Sequence, residues 1–342
     1  MNAIRIGIDL AKNAFQVHGV GSKGKPVCRK KLTRAQLLPY FANLPPCEVG
    51  MEACGSAHHW AREIARFGHD VKLIAPQFVK PYVKTNKNDA ADAEAICEAM
   101  SRPGMRFVPV KTPAQQASLS LHRAREGFIC ERTALANRVR GLLAEFGIAI
   151  PQGIRYLRST AYDCIEDGAR PLPGAFRLLI QRLLDHLAHL DRQVGELERE
   201  IQREHRQSEA CRRLAAIPGI GAITATALVA TVGDARNFAS GRQLAAWLGL
   251  VPRQHSTGGR STLLGISKRG DGYLRRLLIH GARAVIRFAE LKRNANSWLT
   301  RLLGRRHKNV ATIALANKNA RIAWALLAHG SDYQHGYSIT TV

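Results

Sequence analysis

Apolar and polar positions alternate from the first residues of the chain. Ile4, Ile6 and Ile8 alternate with Arg5 and Gly7, the period-2 pattern of a half-buried strand, and the run ends on a lone carboxylate, Asp9. Residues 14–20 read as a second strand returning beside the first, with 22–25 as the turn that follows. A short helix is predicted over 34–44, capped by Thr33 and ended by Pro45 and Pro46. Residues 47–52 read as a strand ending on a second carboxylate, Glu52. Residues 58–67 form an amphipathic helix stopped by Gly68, and 71–75 a strand closed by Pro76. This β-β-α-β-α-β alternation predicts a mixed sheet with helices packed on it. The Lys-rich stretch 81–88 has the composition of a flexible loop, and 89–100 that of a helix.

A long helix follows over 113–146, carrying Arg123, Arg125, Arg132, Arg138 and Arg140. From 147 to 174, Pro and Gly break the pattern into loops and short turns, which puts a domain boundary near 155. Phe176, Ile180, Leu183, Leu187, Leu190, Val194, Leu197 and Ile201 then advance in alternating steps of four and three. That is an a/d heptad seam; it reads as a coiled coil, and a coiled coil implies self-association. A single amphipathic helix packed on its own domain is the alternative. The last third opens on Ile217-Pro218-Gly219-Ile220-Gly221 between two helical segments. This fits the hairpin of a helix-hairpin-helix, whose backbone N–H groups at a helix N-terminus hold a phosphate, with Pro218, Gly219 and Gly221 as the contacts. An ordinary tight turn between helices would look similar. The resulting division is an α/β domain over 1–155, a linker and coiled coil over 156–206, and a mostly α domain over 207–342.

Composition adds a partner. The chain has 342 residues, enough for two or three domains, and 46% apolar residues, as in a globular protein. Against 26 Asp and Glu stand 51 Lys and Arg, a formal charge of +25. A chain that basic matches a polyanionic partner, most often nucleic acid. From 236 to 321 the bias is local: Arg253, Arg260, Lys268, Arg269, Arg275, Arg276, Arg283, Arg287, Arg293, Arg301, Arg305 and Arg306 are opposed only by Asp271 and Glu290. The reading is a nucleic-acid clamp in the C-terminal domain. Seven scattered cysteines without a C-x-x-C pair argue against a disulfide framework and a structural zinc site. With strand-like sequence beginning at Ile4 and no apolar run long enough to span a bilayer, the expectation is a cytoplasmic protein without a membrane partner.

The chemistry is carried by carboxylates. Asp89 and Asp92, spaced i, i+3 at the start of a helix, share one helical face. Helix capping accounts for Asp89 comfortably and for Asp92 less well. Together with Asp9 and Glu52 at strand ends they make a four-carboxylate set of hard oxygen ligands, suited to Mg²⁺ or Mn²⁺. Two such ions can activate a nucleophile and stabilise the leaving oxygen of a phosphodiester.

Gly7-Ile8-Asp9, Met51-Glu52-Ala53, Asn88-Asp89-Ala90-Ala91-Asp92, the Ile217–Gly221 hairpin and the run Gly265-Ile266-Ser267-Lys268-Arg269-Gly270 occur in this order. In that combination the chain resembles the DEDD transposases of insertion-sequence family one-ten, in its eleven-eleven branch, related to the Piv-type DNA invertases. The resemblance implies a RuvC-like, ribonuclease-H-like N-terminal fold, a coiled coil and a C-terminal transposase domain. It also implies a serine nucleophile that links covalently to DNA, and an element-encoded guide RNA. The corresponding stretch here is 251–260. Ser256 is the position carried over, because Gly258 and Gly259 allow close approach to a phosphate while Arg253 and Arg260 supply charge. Thr257, Ser261 and Ser267 are rivals, and a Gly/Ser-rich loop without chemistry is the plain alternative.

The reading is a recombinase that excises and inserts its own element. Asp9, Glu52, Asp89 and Asp92 hold metal, Ser256 attacks, and the protein works as a homodimer or homotetramer on DNA. A metal-dependent junction-resolving nuclease using water is one rival. A non-catalytic architectural DNA-binding protein is the other.

Overall fold

The computed structural model describes residues 3–83, 88–168, 171–292 and 298–334. Residues 84–87 of the Lys-rich loop expected over 81–88, and Arg293 of the basic run, lie outside the described residues. The chain divides into two compact units, Met1–Pro113 and Ala114–Val342.

In the first unit, strands β1 (Arg5–Leu10), β2 (Ala14–Val20), β3 (Pro26–Thr33), β4 (Glu48–Glu52), β5 (Asp70–Ile74) and β6 (Phe107–Val108) form one sheet in the order β3-β2-β1-β4-β5-β6. β1, β4 and β5 run parallel; β2, β3 and β6 join antiparallel to their neighbours. One face carries α1 (Arg34–Ala42) and α2 (Ala57–Ala65), which bury Ile6, Ile8, Phe15, Leu37, Phe41, Trp60 and Ile64 with the sheet. Thr33 sits at the N-cap of α1 as expected, its N–H donating to Gln36 Oε1 at 2.9 Å. A short α3 (Pro76–Val79) precedes α4 (Asp89–Met100), which lies on the opposite face of the sheet from α1 and α2.

Two strands of this unit escaped the sequence reading. β3 buries only Cys28 and Leu32, and its other positions are exposed and largely basic, so it shows no clean alternation. β6 is two residues long, too short to carry a period.

Among the described residues, the second unit is helical apart from one hairpin. The long helices α5 (Pro113–Ala144) and α7 (Gly174–Gln207) run antiparallel, with rungs from Ser118 to Glu204 (2.7 Å), Arg125 to Glu198 (2.9 Å) and Arg132 to Asp191 (3.1 Å). Between them in sequence, where loops and short turns were expected, stands α6 (Ile154–Glu166). Its buried stripe of Leu157, Ala161 and Cys164 is mostly small residues, so flanking Pro and Gly masked its period. The heptad face of α7 is real, but Ile180, Leu184, Leu187 and Leu190 pack on Leu135, Val139 and Leu143 of α5 and Leu157 of α6. The seam is therefore covered from within the chain and needs no second copy to bury it.

The remaining helices are α8 (Glu209–Ala215), α9 (Ala222–Val232), α10 (Gly241–Trp247), α11 (Gly272–Lys292), α12 (Trp298–Leu303) and α13 (Lys308–His329), around a core that includes Leu214, Leu228, Leu244, Leu278 and Ala316. Among them sits a two-stranded antiparallel ribbon, β7 (Pro252–Thr257) and β8 (Arg260–Ile266), where a loop was one of the readings. Among the described residues, no helix is long and apolar enough to cross a membrane.

Candidate metal centre and candidate nucleophile

Asp9 stands on β1 two residues after Gly7, on the same sheet face, since side chains in a strand alternate. A Cβ at Gly7 would lie 2.3 Å from Ala93 O and 2.7 Å from Cys97 N, so α4 rests directly on β1 at this point. Gly50 is the register partner of Gly7 on β4, and a Cβ there would lie 1.8 Å from Met100 Sδ. Two glycines side by side thus give α4 a bed at backbone distance from the sheet. That contact carries the first turn of α4 to the end of β1.

Asn88 caps this helix, its Oδ1 accepting from Ala90 N–H at 3.0 Å, and Asp89 and Asp92 occupy the first turn. The consequence is a cluster. One carboxylate oxygen from each of Asp9, Asp89 and Asp92 lies within 4.8 Å of the others. Glu52 ends β4 on the face of Gly50, one step beyond the Ile8–Met51 register pair. Burial, and then the charges of Asp9 and Asp92, push its carboxyl above the usual range. Three carboxylates drawn together, with a fourth feeling their charge, form an all-oxygen donor set that a divalent cation would relieve of its repulsion.

The C-terminal candidates are distributed differently. Gly258 (φ 53°) and Gly259 (φ 77°) make the two-residue turn of the β7–β8 ribbon, a conformation that favours glycine at both positions. Ser256 is exposed and pairs across the ribbon with Ser261. Gln254 lies on the same face and donates from Nε2 to Ser256 Oγ at 2.8 Å and to Ser261 Oγ at 3.3 Å. Thr257 and its partner Arg260 lie on the other face, as does His255. Arg253 falls at the register shift between Pro252 and Gln254. Ser267 is outside the ribbon, its N–H donating to Val251 O.

Several of the basic and hairpin candidates are engaged within the unit. Arg275 Nη1 donates to Leu248 O at 3.0 Å and Arg269 O at 2.7 Å, and Arg276 pairs with Glu126. Lys268 adopts φ 55° with its N–H on Gly249 O. In the α8–α9 hairpin, Pro218 O accepts from the buried Asn319 at 2.8 Å, and a Cβ at Gly219 would lie 2.8 Å from Gly281 O. Gly221 is exposed, with open space where a Cβ would stand. The two sequence signals missed here, Gly50 and Gln254, are visible only in hindsight: a glycine inside a strand and a polar residue two before the serine.

Comparison with known proteins supplies the context. A family model described as "Transposase", of the DEDD type of IS110, matches residues 6–148, and one described as "Transposase IS116/IS110/IS902 family" matches residues 211–297. A "Probable family 20 transposase" of Pseudomonas aeruginosa is 56% identical over 98% of this chain and 100% of its own. The chain belongs to the IS110/IS116/IS902 transposase family. The transposase for IS1328 of Yersinia enterocolitica is 47% identical over 97% of this chain and 99% of its own. That for IS1111A of Coxiella burnetii is 44% identical over 97% and 91%. The pilin gene-inverting protein of Moraxella bovis is a distant relative, at 24% identity over 75% of each chain. As a transposase the protein cleaves and rejoins DNA strands, and its DEDD domain implies use of a divalent metal.

Proposed function

We propose that this transposase excises and inserts its insertion sequence with a Mg²⁺ or Mn²⁺ site made by Asp9, Glu52, Asp89 and Asp92 and a nucleophile, Ser256, in the C-terminal region. The observation that carries this reading is the meeting of Asp9 with Asp89 and Asp92 across some eighty residues of sequence. The strand order β3-β2-β1-β4-β5, with β2 antiparallel, supports a RuvC-like, ribonuclease-H-like fold for the domain that holds them. When bound, the divalent ion would polarise the phosphate and stabilise charge on the displaced oxygen.

The chain's own groups carry the remaining chemistry. Ser256 Oγ bonds to phosphorus as the bond from phosphorus to one deoxyribose oxygen breaks, and the serine proton ends on that oxygen. The phosphodiester count is conserved, so rejoining needs no outside energy. Exposure of Ser256 at a ribbon, beside a glycine turn, favours it over Ser267, while Ser261 across the ribbon and Thr257 on its other face stay rivals. Gly221 and the basic helices α11 to α13 are read as backbone contacts for DNA and for an element-encoded guide RNA, with base pairing supplying sequence choice.

Carboxylates in one unit and the serine in the other, roughly 160 residues on from Asp92, suggest active sites shared between protomers of a dimer or tetramer. The test is incubation of the protein with Mg²⁺, the flanking non-coding RNA of its element and labelled junction DNA. A denaturant-resistant adduct lost in Ser256→Ala and in Asp89→Ala is expected. Cleavage without an adduct would overturn the role of Ser256 and favour a nuclease that uses water.

A further inference from the structure

Between Asp9 and Glu48 the chain carries seven basic residues, Lys12, Lys23, Lys25, Arg29, Lys30, Lys31 and Arg34, and no acidic one. Three of them sit on β3, the edge strand that the sequence pattern concealed. Charged residues on an edge strand blunt edge-to-edge pairing, and that would account for lysines anywhere along it. Their register says more. Asp9 is opposite Gln16 on β2, and Gln16 is opposite Lys31 on β3. The next row on the same face is Gly7, His18 and Arg29. Lys31 and Arg29 therefore share the face of Asp9, two strands away, whereas Lys30 points to the other face, over the ring of Tyr40.

A cleft of about 150 Å³ opens along these rows; its lining includes Gln16, His18, Arg29 and Lys31, the strand positions Val17 and Lys30 between them and, from the first turn of α4, Ala90. It adjoins the carboxylate cluster, because Ala90 follows Asp89 and Gln16 neighbours Asp9. Lys31 is exposed, and Arg29 makes an exposed pair with Glu94 at 3.1 Å. Such a pair contributes little and exchanges readily for a stronger anion.

We infer that this cleft, running from Asp9 over Gln16 to Arg29 and Lys31 at the sheet edge, is the track for the backbone of the DNA strand being cut. Arg29 and Lys31 hold its phosphates on one side of the scissile bond. Two strand spacings, about 10 Å, match roughly three nucleotides of rise. The inference rests on the reading of the carboxylates as the cutting site and adds the direction in which the strand leaves it.

The experiment uses the full-length protein, a labelled DNA duplex carrying an end of its element, and an RNA duplex of the same sequence. Binding is measured against salt for the wild type, for Arg29→Gln/Lys31→Gln, and for Lys23→Gln/Lys25→Gln at the neighbouring turn, which changes charge equally outside the cleft. Two lost phosphate contacts make the DNA salt slope shallower by about 1.8, so the wild-type advantage shrinks about tenfold between about 50 and 200 mM salt. That change is expected in the cleft variant alone, with its Mn²⁺ binding intact by electron paramagnetic resonance. An unchanged slope, an equal change in the turn variant, or a change seen only with RNA would each overturn the inference. Asp9→Asn separates the two readings. If it still cuts, the carboxylate reading fails; if it is dead while the cleft variant binds as wild type, only the track fails.

Discussion

Glu52 shows at the scale of one residue how a site is made at a cost to stability. Its carboxyl is pushed up by burial and by Asp9 and Asp92, so its charged form is less favourable folded than unfolded. A raised acid contributes stability below its ordinary range and loses it as pH rises through the folded value. Near neutral pH, without metal, Glu52 therefore destabilises the fold. Glu52→Gln should raise the melting temperature of the metal-free protein by a few degrees while weakening Mn²⁺ binding about tenfold or more, read by calorimetry on the two forms.

His122 illustrates the opposite sign. Buried, it is bracketed by Tyr273 Oη at 3.1 Å on Nδ1 and Thr226 Oγ1 at 3.0 Å on Nε2, and burial followed by Arg125 lowers its pKa from 6.5 to about 4. The folded state keeps this ring neutral where the unfolded chain protonates it. Its contribution is thus full above 6.5 and lost as pH falls toward 4, up to about 3 kcal/mol in all. Urea denaturation of His122→Gln across that window should show a flatter pH dependence than the wild type.

At the scale of elements, the site depends on one helix lying close to one sheet. Gly7→Ala would drive a methyl into the backbone of α4 at Ala93 and Cys97, where no side chain can turn aside. Unfolding free energy should drop by about 1–3 kcal/mol. Divalent-ion affinity should drop with it, because Asp89 and Asp92 ride on the displaced helix. Gly50→Ala meets the end of Met100, a flexible side chain, and should cost less than Gly7→Ala in a paired denaturation experiment.

The same scale marks where the sequence pattern was legible. β1, β2 and β4 alternate large apolar residues with polar or glycine positions, so their period stood out even where α4 covers the glycines, and α4 was legible to its terminal residues from its Asn88 cap and acidic first turn. β3 and α6 were not, since two buried positions on an edge strand and a stripe of small residues carry little apolar signal. The heptads of α7 were legible as a helix and read as a seam for a second copy, whereas the seam packs on α5 and α6 of the same chain.

For the whole molecule, the prediction concerns assembly. If active sites are shared between protomers, mixing Asp9→Ala with Ser256→Ala protein should restore part of the strand-transfer activity that each lacks alone. No recovery in a quantitative junction-joining assay would count against sharing. With the α7 seam occupied inside the chain, any protomer contact has to use other surfaces.

By itself the sequence determined β1, β2, α1, β4, α2, β5 and α4 of the first unit, the basic bias of the chain and the four carboxylates as candidates, because period, charge and residue type are local properties. It also determined membership of a transposase family, because a set of motifs in fixed order is carried by the chain alone. Only the tertiary structure decided that Asp9 meets Asp89 and Asp92, that Ser256 faces Gln254 and Ser261, and that Lys31 lies in the row of Asp9 with Arg29 one row on. Those facts depend on strand pairing and on helix-to-sheet distance. The ribbon pairing is set by its two-glycine turn, whereas the carboxylate meeting is set by packing between residues far apart in the chain, here by a pair of glycines whose missing side chains let α4 settle onto the sheet.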